Sequence, residues 1–110
     1  MRTFPVCTMV LIDAGASEDF VEGEKKVVDA NGDRVLLTRF EGKVYALHGK
    51  CTHQGADLGI AGKVTGRVLH CRMHGANWDI VTGDKLAHAG ATDLKTFKVE
   101  ESNGRVLVEM

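Results

Sequence analysis

The sequence predicts an all-β protein, an antiparallel β sandwich or barrel into which a small glycine-rich subdomain is inserted. Short runs of Val, Leu, Phe and Tyr alternate about every ten residues with turn residues, which is typical of small β domains. Two Asn-Gly pairs stand where hairpins are expected. Eight of the 13 glycines lie between residues 49 and 90, where sharp turns or close backbone approach are expected.

The outer parts of the chain predict the scaffold. Asn31-Gly32 and Asn103-Gly104 are each expected to form the turn of a β-hairpin. Both central residues of the favoured two-residue turn have positive φ angles, which Asn and Gly adopt readily. Glu41-Gly42 joins another pair of strands, and the acidic stretch 13–24 is expected to be a loop. The predicted scaffold strands are 10–12, 26–29, 34–40, 43–48, 94–100 and 105–109.

The middle of the chain predicts the inserted subdomain, at about residues 49–90. Only two short strands are expected there, at 67–70 and 77–81, between glycine loops. Strand fragments on glycine loops suggest a subdomain organised around a bound centre. With 110 residues and no linker or repeat, the chain is expected to form a single domain, 1–110.

Composition excludes several classes of partner. The formal charge of -1 gives no basic stripe, so neither nucleic acid nor an anionic membrane surface is expected to bind. No apolar run approaches the roughly 18 residues of a membrane span, and the first residues lack an export signal. Three cysteines do not suggest a disulfide scaffold. A soluble, cytoplasmic protein is therefore expected, and we expect a monomer.

Two Cys/His pairs carry the chemistry. Cys51-Thr52-His53 and Cys71-Arg72-Met73-His74 are separated by seventeen residues, and a glycine follows each pair, at 55 and 75. Four ligands of this type on two loops are enough to hold a metal centre. A structural zinc ion is one candidate, but zinc motifs usually place cysteines together as Cys-x-x-Cys, so the alternating Cys/His order is uncommon for zinc.

This pattern resembles the Rieske family of 2Fe-2S proteins, and the resemblance covers about residues 22–109. It implies that Cys51 and Cys71 bind one iron and that His53 and His74 bind the other. Two thiolates and two neutral imidazoles leave the oxidised cluster without net charge, whereas four thiolates would make it a dianion. Adding an electron is therefore easier, and the reduction potential is higher, than in a four-cysteine cluster.

Departures from the respiratory members of that family narrow the interpretation. Ala56 and Met73 stand at the positions of an additional disulfide between the cluster loops, so that bridge cannot form. Ala76 and Trp78 replace residues whose hydroxyl groups donate to the cluster. The resemblance therefore implies a potential toward the lower end of the roughly -150 to +300 mV of Rieske centres. Such centres occur in the ferredoxins of bacterial ring-hydroxylating oxygenase systems.

The predicted function is that of a one-electron carrier rather than an enzyme. The resemblance implies two protein partners, a flavin-dependent ferredoxin reductase and a terminal oxygenase. A Rieske-type small subunit of another redox enzyme, similar to that of nitrite reductase, is one alternative. A zinc-stapled interaction module is the other.

Residues outside the ligand set have two interpretations each. Trp78, with Leu58 and Met73, forms either an apolar wall around the cluster or ordinary core. His88 stands on a loop expected to cover the cluster and is a candidate to lie near it. Cys7, His48 and His70 are expected to have no role in the site. The segment 49–75 has one acidic residue, Asp57, and four basic residues, namely Lys50, Lys63, Arg67 and Arg72. Its net positive charge either steers an acidic partner or belongs to an ordinary solvated surface.

Overall fold

The computed structural model describes residues 11–30, 32–50, 57–72, 75–87 and 92–110. These residues form a six-stranded antiparallel sheet, a smaller four-stranded antiparallel sheet, one short α-helix and one short 3-10 helix. The prediction of an all-β fold with a small inserted subdomain is confirmed. In chain order the elements are β1 (Leu11–Ala16), β2 (Lys25–Ala30), β3 (Asp33–Phe40), β4 (Lys43–His48), α1 (Leu58–Ala61), β5 (Gly62–Thr65), β6 (Val68–Cys71), β7 (Asn77–Asp79), β8 (Lys85–Ala87), β9 (Thr96–Ser102) and β10 (Arg105–Glu109).

The strand order shows how the two sheets are connected. The large sheet runs β1-β10-β9-β4-β3-β2, and the small sheet runs β5-β6-β7-β8. All strands of the small sheet lie between β4 and β9 in the chain, so the small sheet is an insertion in the large one. In the part of the chain that is described, no helix has the length and apolar character needed to cross a membrane.

Alternation along β3 supplies two apolar cores. Val35 and Leu37 face one core, which they share with residues of β1, β4, β9 and β10. Leu36 points to the opposite side and packs, with Leu47 of β4, against the small sheet and α1. The second core contains Cys71, so the large sheet forms one wall of the region that carries the predicted site.

The hairpin turns have the backbone that the sequence predicts. Asn103 and Gly104 have φ angles of 53° and 75°, and Glu41 and Gly42 have 51° and 83°. Positive φ at both central residues matches the right-handed twist of the flanking strands. Gly32 has a φ of 81°, whereas its predicted partner, Asn31, lies outside the described residues.

Part of the acidic stretch predicted to be a loop is strand and helix. β1 continues to Ala16, and a short 3-10 helix occupies Ser17–Asp19. The strand continues because a bulge between Asp13 and Gly15 absorbs the extra residue, with the Gly15 N–H donating to Asp13 Oδ1 at 2.9 Å. Arg105 of the neighbouring strand holds the same carboxylate.

The boundaries of other elements differ from the prediction. The last hairpin begins at Thr96 rather than at Leu94. Leu94 is buried in the second core, and its N–H donates to the carbonyl of Gly83, so this residue belongs to the connection between the sheets. β6 and β7 are each shifted or shortened by one or two residues, and β5, β8 and α1 were not predicted.

Candidate metal centre

Cys71 is the one predicted ligand among the described residues, and it ends β6. Its side chain is buried in the second core. Its N–H donates to the carbonyl of Ala76 at 2.8 Å, and its carbonyl accepts from the N–H of Gly75 at 2.8 Å. Both ends of the segment that carries His74, a predicted ligand, are therefore held together by hydrogen bonds of Cys71.

Gly75 owes its place to backbone conformation. Its φ is 76°, and a side chain there would meet nothing within 4 Å. Glycine is required for the left-handed conformation and not for space. Because its N–H is used by the Cys71 carbonyl, the glycine after the second histidine acts as a turn residue.

The segment 51–56, which carries Cys51 and His53, is closed at its base. Lys50 and Asp57, on either side of it, form an antiparallel β bridge. The Leu58 N–H donates to the Gly49 carbonyl at 2.8 Å, and the Gly49 N–H donates to the Arg34 carbonyl at 2.7 Å. The residues that flank this segment are thus joined to each other and to β3.

Asp57 fixes the start of α1. Its Oδ1 accepts from the Gly59 N–H at 2.8 Å, which caps the helix, and from Arg34 Nε at 3.0 Å. Arg34 Nη2 lies 3.0 Å from the other carboxylate oxygen. The hydrogen bond from Arg34 lowers the pKa of Asp57, and the bond from Gly59 adds to this against the opposing effect of burial.

Arg72 joins the two loop systems. Its backbone N–H donates to the Ala61 carbonyl at 2.9 Å, and its Nε donates to the same oxygen at 3.3 Å. Its Nη2 donates to the Ile60 carbonyl at 2.7 Å. Arg72, the residue after Cys71, is therefore bonded to α1, the helix that follows the segment 51–56. We call this set of hydrogen bonds the Arg72 strap. This strap links the loops in a chain that has Ala56 and Met73 where a disulfide would stand.

Trp78 belongs to the apolar core. It is fully buried in the core that contains Cys71, which confirms the interpretation as a core residue; its place in a wall around the cluster stays a prediction. Its Nε1 donates to the carbonyl of Thr92 at 2.8 Å and thereby fixes the chain at the start of the described segment 92–110. Leu58 is also fully buried in this core, as the sequence suggested.

The other predicted residues divide into described and undescribed ones. His70 contacts Asn77 Oδ1 across the β6–β7 ladder, and alternation along β6 directs it to the opposite face from Cys71. His48 ends β4. Residues outside the described part are Cys7, Cys51, His53, Ala56, Met73, His74 and His88.

Sequence reasoning missed Arg34 and the structural role of Asp57. An Asp directly before an apolar tetrad is a readable helix-capping signal. No local signal indicates Arg34, because it lies 23 residues before its partner.

The described residues fit an iron-sulfur cluster. A buried thiol ends a strand in an apolar wall, and two segments that carry soft and borderline ligands are held together at their bases. Thiolate and imidazole donors suit iron in such a cluster, and an apolar wall lowers the access of water.

Comparisons with known proteins decide the family. Residues 10–98 match the Rieske [2Fe-2S] domain. The chain belongs to this family. The chain is 35% identical over 99 residues to the ferredoxin component of the naphthalene 1,2-dioxygenase/salicylate 5-hydroxylase systems of Ralstonia sp., covering 90% of this chain and 94% of that protein. The ferredoxin component of the naphthalene 1,2-dioxygenase system of Pseudomonas putida is 32% identical, with 94% and 98% covered.

A solved structure gives the same fold. A chain in the complex of reduced oxygenase and oxidised ferredoxin of carbazole 1,9a-dioxygenase superimposes with a TM-score of 0.82 at 28% identity, covering 89% of this chain and 91% of that one. The predictions of a Rieske-type 2Fe-2S cluster and of an electron carrier that is not itself an enzyme are confirmed. Among the alternatives, the relatives support the ferredoxin rather than a zinc module.

Proposed function

We propose that this Rieske protein is the ferredoxin of a ring-hydroxylating oxygenase system. It would accept an electron from a flavin-dependent reductase and deliver it to a terminal oxygenase. The observation that supports this most is the match over nearly the whole length of both chains with proteins named ferredoxin components.

We propose that Cys51 and Cys71 ligate one iron and that His53 and His74 ligate the other, within a cluster-binding part at about 49–90 of a single domain. The donor types and their spacing support this assignment, as does the burial of Cys71 in the apolar core. When bound, such a cluster takes up and releases one electron at a time. The protein positions the ligand segments and excludes water from one side of them.

A potential in the lower part of the Rieske range follows from two described residues. Ala76 is fully buried and carries no hydroxyl group that could donate to the cluster. The indole N–H of Trp78 donates instead to the Thr92 carbonyl. Donors to the cluster stabilise its reduced form, so their absence lowers the potential. Protein-film voltammetry is expected to give a midpoint in the lower half of the roughly -150 to +300 mV range.

The ligand assignment is tested by four single variants with matched controls. Cys51→Ser, Cys71→Ser, His53→Ala and His74→Ala should each lower the content of iron and labile sulfide and abolish the Rieske spin-resonance signal. Cys7→Ser and His70→Asn remove the same residue types elsewhere and should leave iron, sulfide and signal unchanged. A proposed ligand whose replacement preserves all three would have to be reassigned.

The assignment of partners is tested by reconstitution. Purified protein, a flavin-dependent ferredoxin reductase and the terminal oxygenase of a naphthalene dioxygenase system are mixed with NADH and naphthalene. Product formation should require this protein and should fail with Cys71→Ser. If the reductase reduces the cluster but the oxygenase never reoxidises it, the oxygenase part of the proposal is wrong for that class of oxygenase.

We also propose a cytoplasmic location, since the three cysteines do not suggest a disulfide framework. Fractionation of cells that express the chain should place it with cytoplasmic markers. Recovery in the periplasmic or membrane fraction would contradict this.

A further inference from the structure

A groove of about 450 Å³ runs between the two sheets and reaches Arg72, the residue that follows Cys71. One wall is the start of β2 and the residues before it, and the other wall is β5. Arg72, the residue that follows Cys71, closes one side. The groove is lined by Gly23, Glu24, Lys25, Gly62, Lys63, Val64 and Arg72.

The cations of this groove lack carboxylate partners within the described part of the chain. Every other described arginine forms an ion pair, namely Arg34, Arg39, Arg67 and Arg105. Among the described residues, Arg72 donates to main-chain carbonyls alone, and these orient its guanidinium without neutralising it. Lys25 and Lys63 form no described ion pair either, and Glu24 is the one carboxylate in the lining. The groove therefore has a net positive charge.

The structure also narrows the charge pattern that the sequence suggested. Of the basic residues in 49–75, Arg67 is paired with Asp79 at 2.9 Å. Asp57, the acidic residue of that segment, is occupied by Arg34. Three basic residues of the segment, Lys50, Lys63 and Arg72, thus form no described ion pair; Lys63 and Arg72 line the groove, and Lys25 of β2 adds to their charge across it.

The groove begins at the strand pair that carries Cys71. Gly62 of the groove is the ladder partner of Cys71, and Lys63 is the partner of His70. Partners in an antiparallel ladder have Cα atoms about 5 Å apart. Ile60, 71% exposed, lies on α1 beside the Arg72 guanidinium and offers an apolar contact next to the charges. A group that settles in the groove is therefore close to Cys71, a predicted ligand of the cluster.

We propose that this groove is a docking surface for an acidic segment of the protein that exchanges electrons with the cluster. Carboxylate side chains of the partner pair with Lys25, Lys63 and Arg72, and an apolar side chain covers Ile60. The charges increase the association rate, because an encounter is steered before contact is made. The proposal rests on the proposed function, since it places the groove beside a cluster held by Cys71.

The first test uses two small oxidants of opposite charge. The chemically reduced protein is mixed anaerobically in a stopped-flow instrument with hexacyanoferrate(III), an anion, or with tris(phenanthroline)cobalt(III), a cation. In each reaction one electron leaves the protein and reduces one metal complex, and no bond or proton is transferred. At about 10 mM ionic strength Lys63→Glu should slow oxidation by the anion about tenfold and accelerate oxidation by the cation.

Salt and a control variant separate steering from other effects. At about 1 M salt, where the screening length is about 3 Å, the effect of Lys63→Glu should disappear. Lys43→Glu is the control, because it makes the same change of charge on an exposed residue. Lys43 begins β4, whereas Gly49 follows the other end of that strand. Lys43→Glu should alter neither rate by more than about twofold. If both variants change the rates equally, the effect belongs to total charge and the groove is not a docking surface.

A second test distinguishes a carboxylate-rich protein segment from a simple anion effect. A ten-residue glutamate peptide should slow oxidation by hexacyanoferrate(III) in the wild-type protein, because it occupies the groove and repels the anion, and should have no effect on Lys25→Glu/Lys63→Glu. A ten-residue lysine peptide is the control. If the glutamate peptide affects both proteins equally or neither, the docking proposal is overturned.

The two proposals fail in different ways. A Lys63→Glu protein that keeps its iron, its spin-resonance signal and its potential, yet reacts with both oxidants as the wild type does, refutes the groove and leaves the carrier function intact. Absence of the Rieske spin-resonance signal from the wild-type protein would instead refute the cluster assignment.

Discussion

Gly62 is the residue at which a single methyl group should disturb the site most directly. It connects α1 to β5 and is the ladder partner of Cys71. Its φ of -79° and ψ of 143° suit any residue, so glycine is required there for space alone. A Cβ would lie 2.4 Å from the Leu58 carbonyl oxygen and 3.1 Å from Leu69 Cδ1.

The cost of Gly62→Ala is estimated from that clash. To reach an ordinary contact, the carbonyl of Leu58 must move by about 1 Å, and it belongs to a helix whose Leu58 side chain is fully buried. Overpacking of this kind costs about 1–3 kcal/mol. For a domain of this size the melting temperature, followed by far-ultraviolet circular dichroism, should fall by about 5–15 °C.

The displacement should also reach the metal centre, because two carbonyls of α1 accept hydrogen bonds from Arg72, the residue after Cys71. We expect a changed visible circular dichroism spectrum and faster iron release to a chelator for Gly62→Ala. Gly66→Ala is the control: its φ is 59° and nothing lies within 4 Å, so it costs roughly 1 kcal/mol through backbone strain at a turn. It should lower the melting temperature without altering the spectrum. An unchanged spectrum and melting temperature in Gly62→Ala would refute the reasoning that α1 is rigidly seated.

Variants at three further positions test the parts of the site that are described. Arg72→Lys keeps the charge but its single ammonium cannot bond both carbonyls in the same geometry, so iron release to a chelator should accelerate roughly tenfold; an unaltered rate would exclude the strap. Trp78→Phe loses the donor to Thr92 and leaves a void, so urea unfolding followed by circular dichroism should show about 2 kcal/mol lower stability with the same m-value. Asp57→Ala should cost about 1 kcal/mol through loss of the cap, and Asp57→Asn, which can still cap, should cost less. Arg34 lowers the pKa of Asp57 in the folded state. The stability of the wild type should therefore exceed that of Asp57→Asn fully above the ordinary aspartate pKa, and this difference should shrink as pH falls through the lower pKa of the folded state. Thermal melts across that pH range measure the difference, and a difference that does not change with pH would contradict the reasoning.

The sequence predicts the scaffold well where local chemistry decides it. The turn at Asn103-Gly104 follows from the φ angles that only a few residue types adopt readily. The short strand β5 has no such signal: of its residues only Gly62 is buried, while Lys63 and Thr65 are exposed, so no hydrophobic alternation marks it. α1 has four residues, too few for a helical period to show. These elements exist because the core around Leu58 and Leu69 and the neighbouring ladders hold them in place.

The site divides in the same way. Ligand types and their spacing are visible in the sequence, because iron selects thiolate and imidazole whatever the fold. The contacts that position the ligand segments join residues far apart in the chain: Arg34 reaches Asp57, and Arg72 reaches Ile60 across two strands. No periodicity or motif reports such pairs, since each side chain would look equally plausible as a solvated surface charge.

The two arginines also explain how a chain without a disulfide between its cluster loops can keep those loops in register. A disulfide would limit the separation of the loops by one covalent bond, whereas Arg72 limits it by three hydrogen bonds to two carbonyls of α1. Arg34, through Asp57, then fixes the start of the same helix to β3. The helix is thus held at both ends by groups that belong to the scaffold or to the second loop. Because hydrogen bonds to a charged donor are individually modest, release of either end should loosen the cluster by degrees rather than abolish it. That graded response distinguishes this arrangement from a covalent one, in which reduction of a single bond would act all at once.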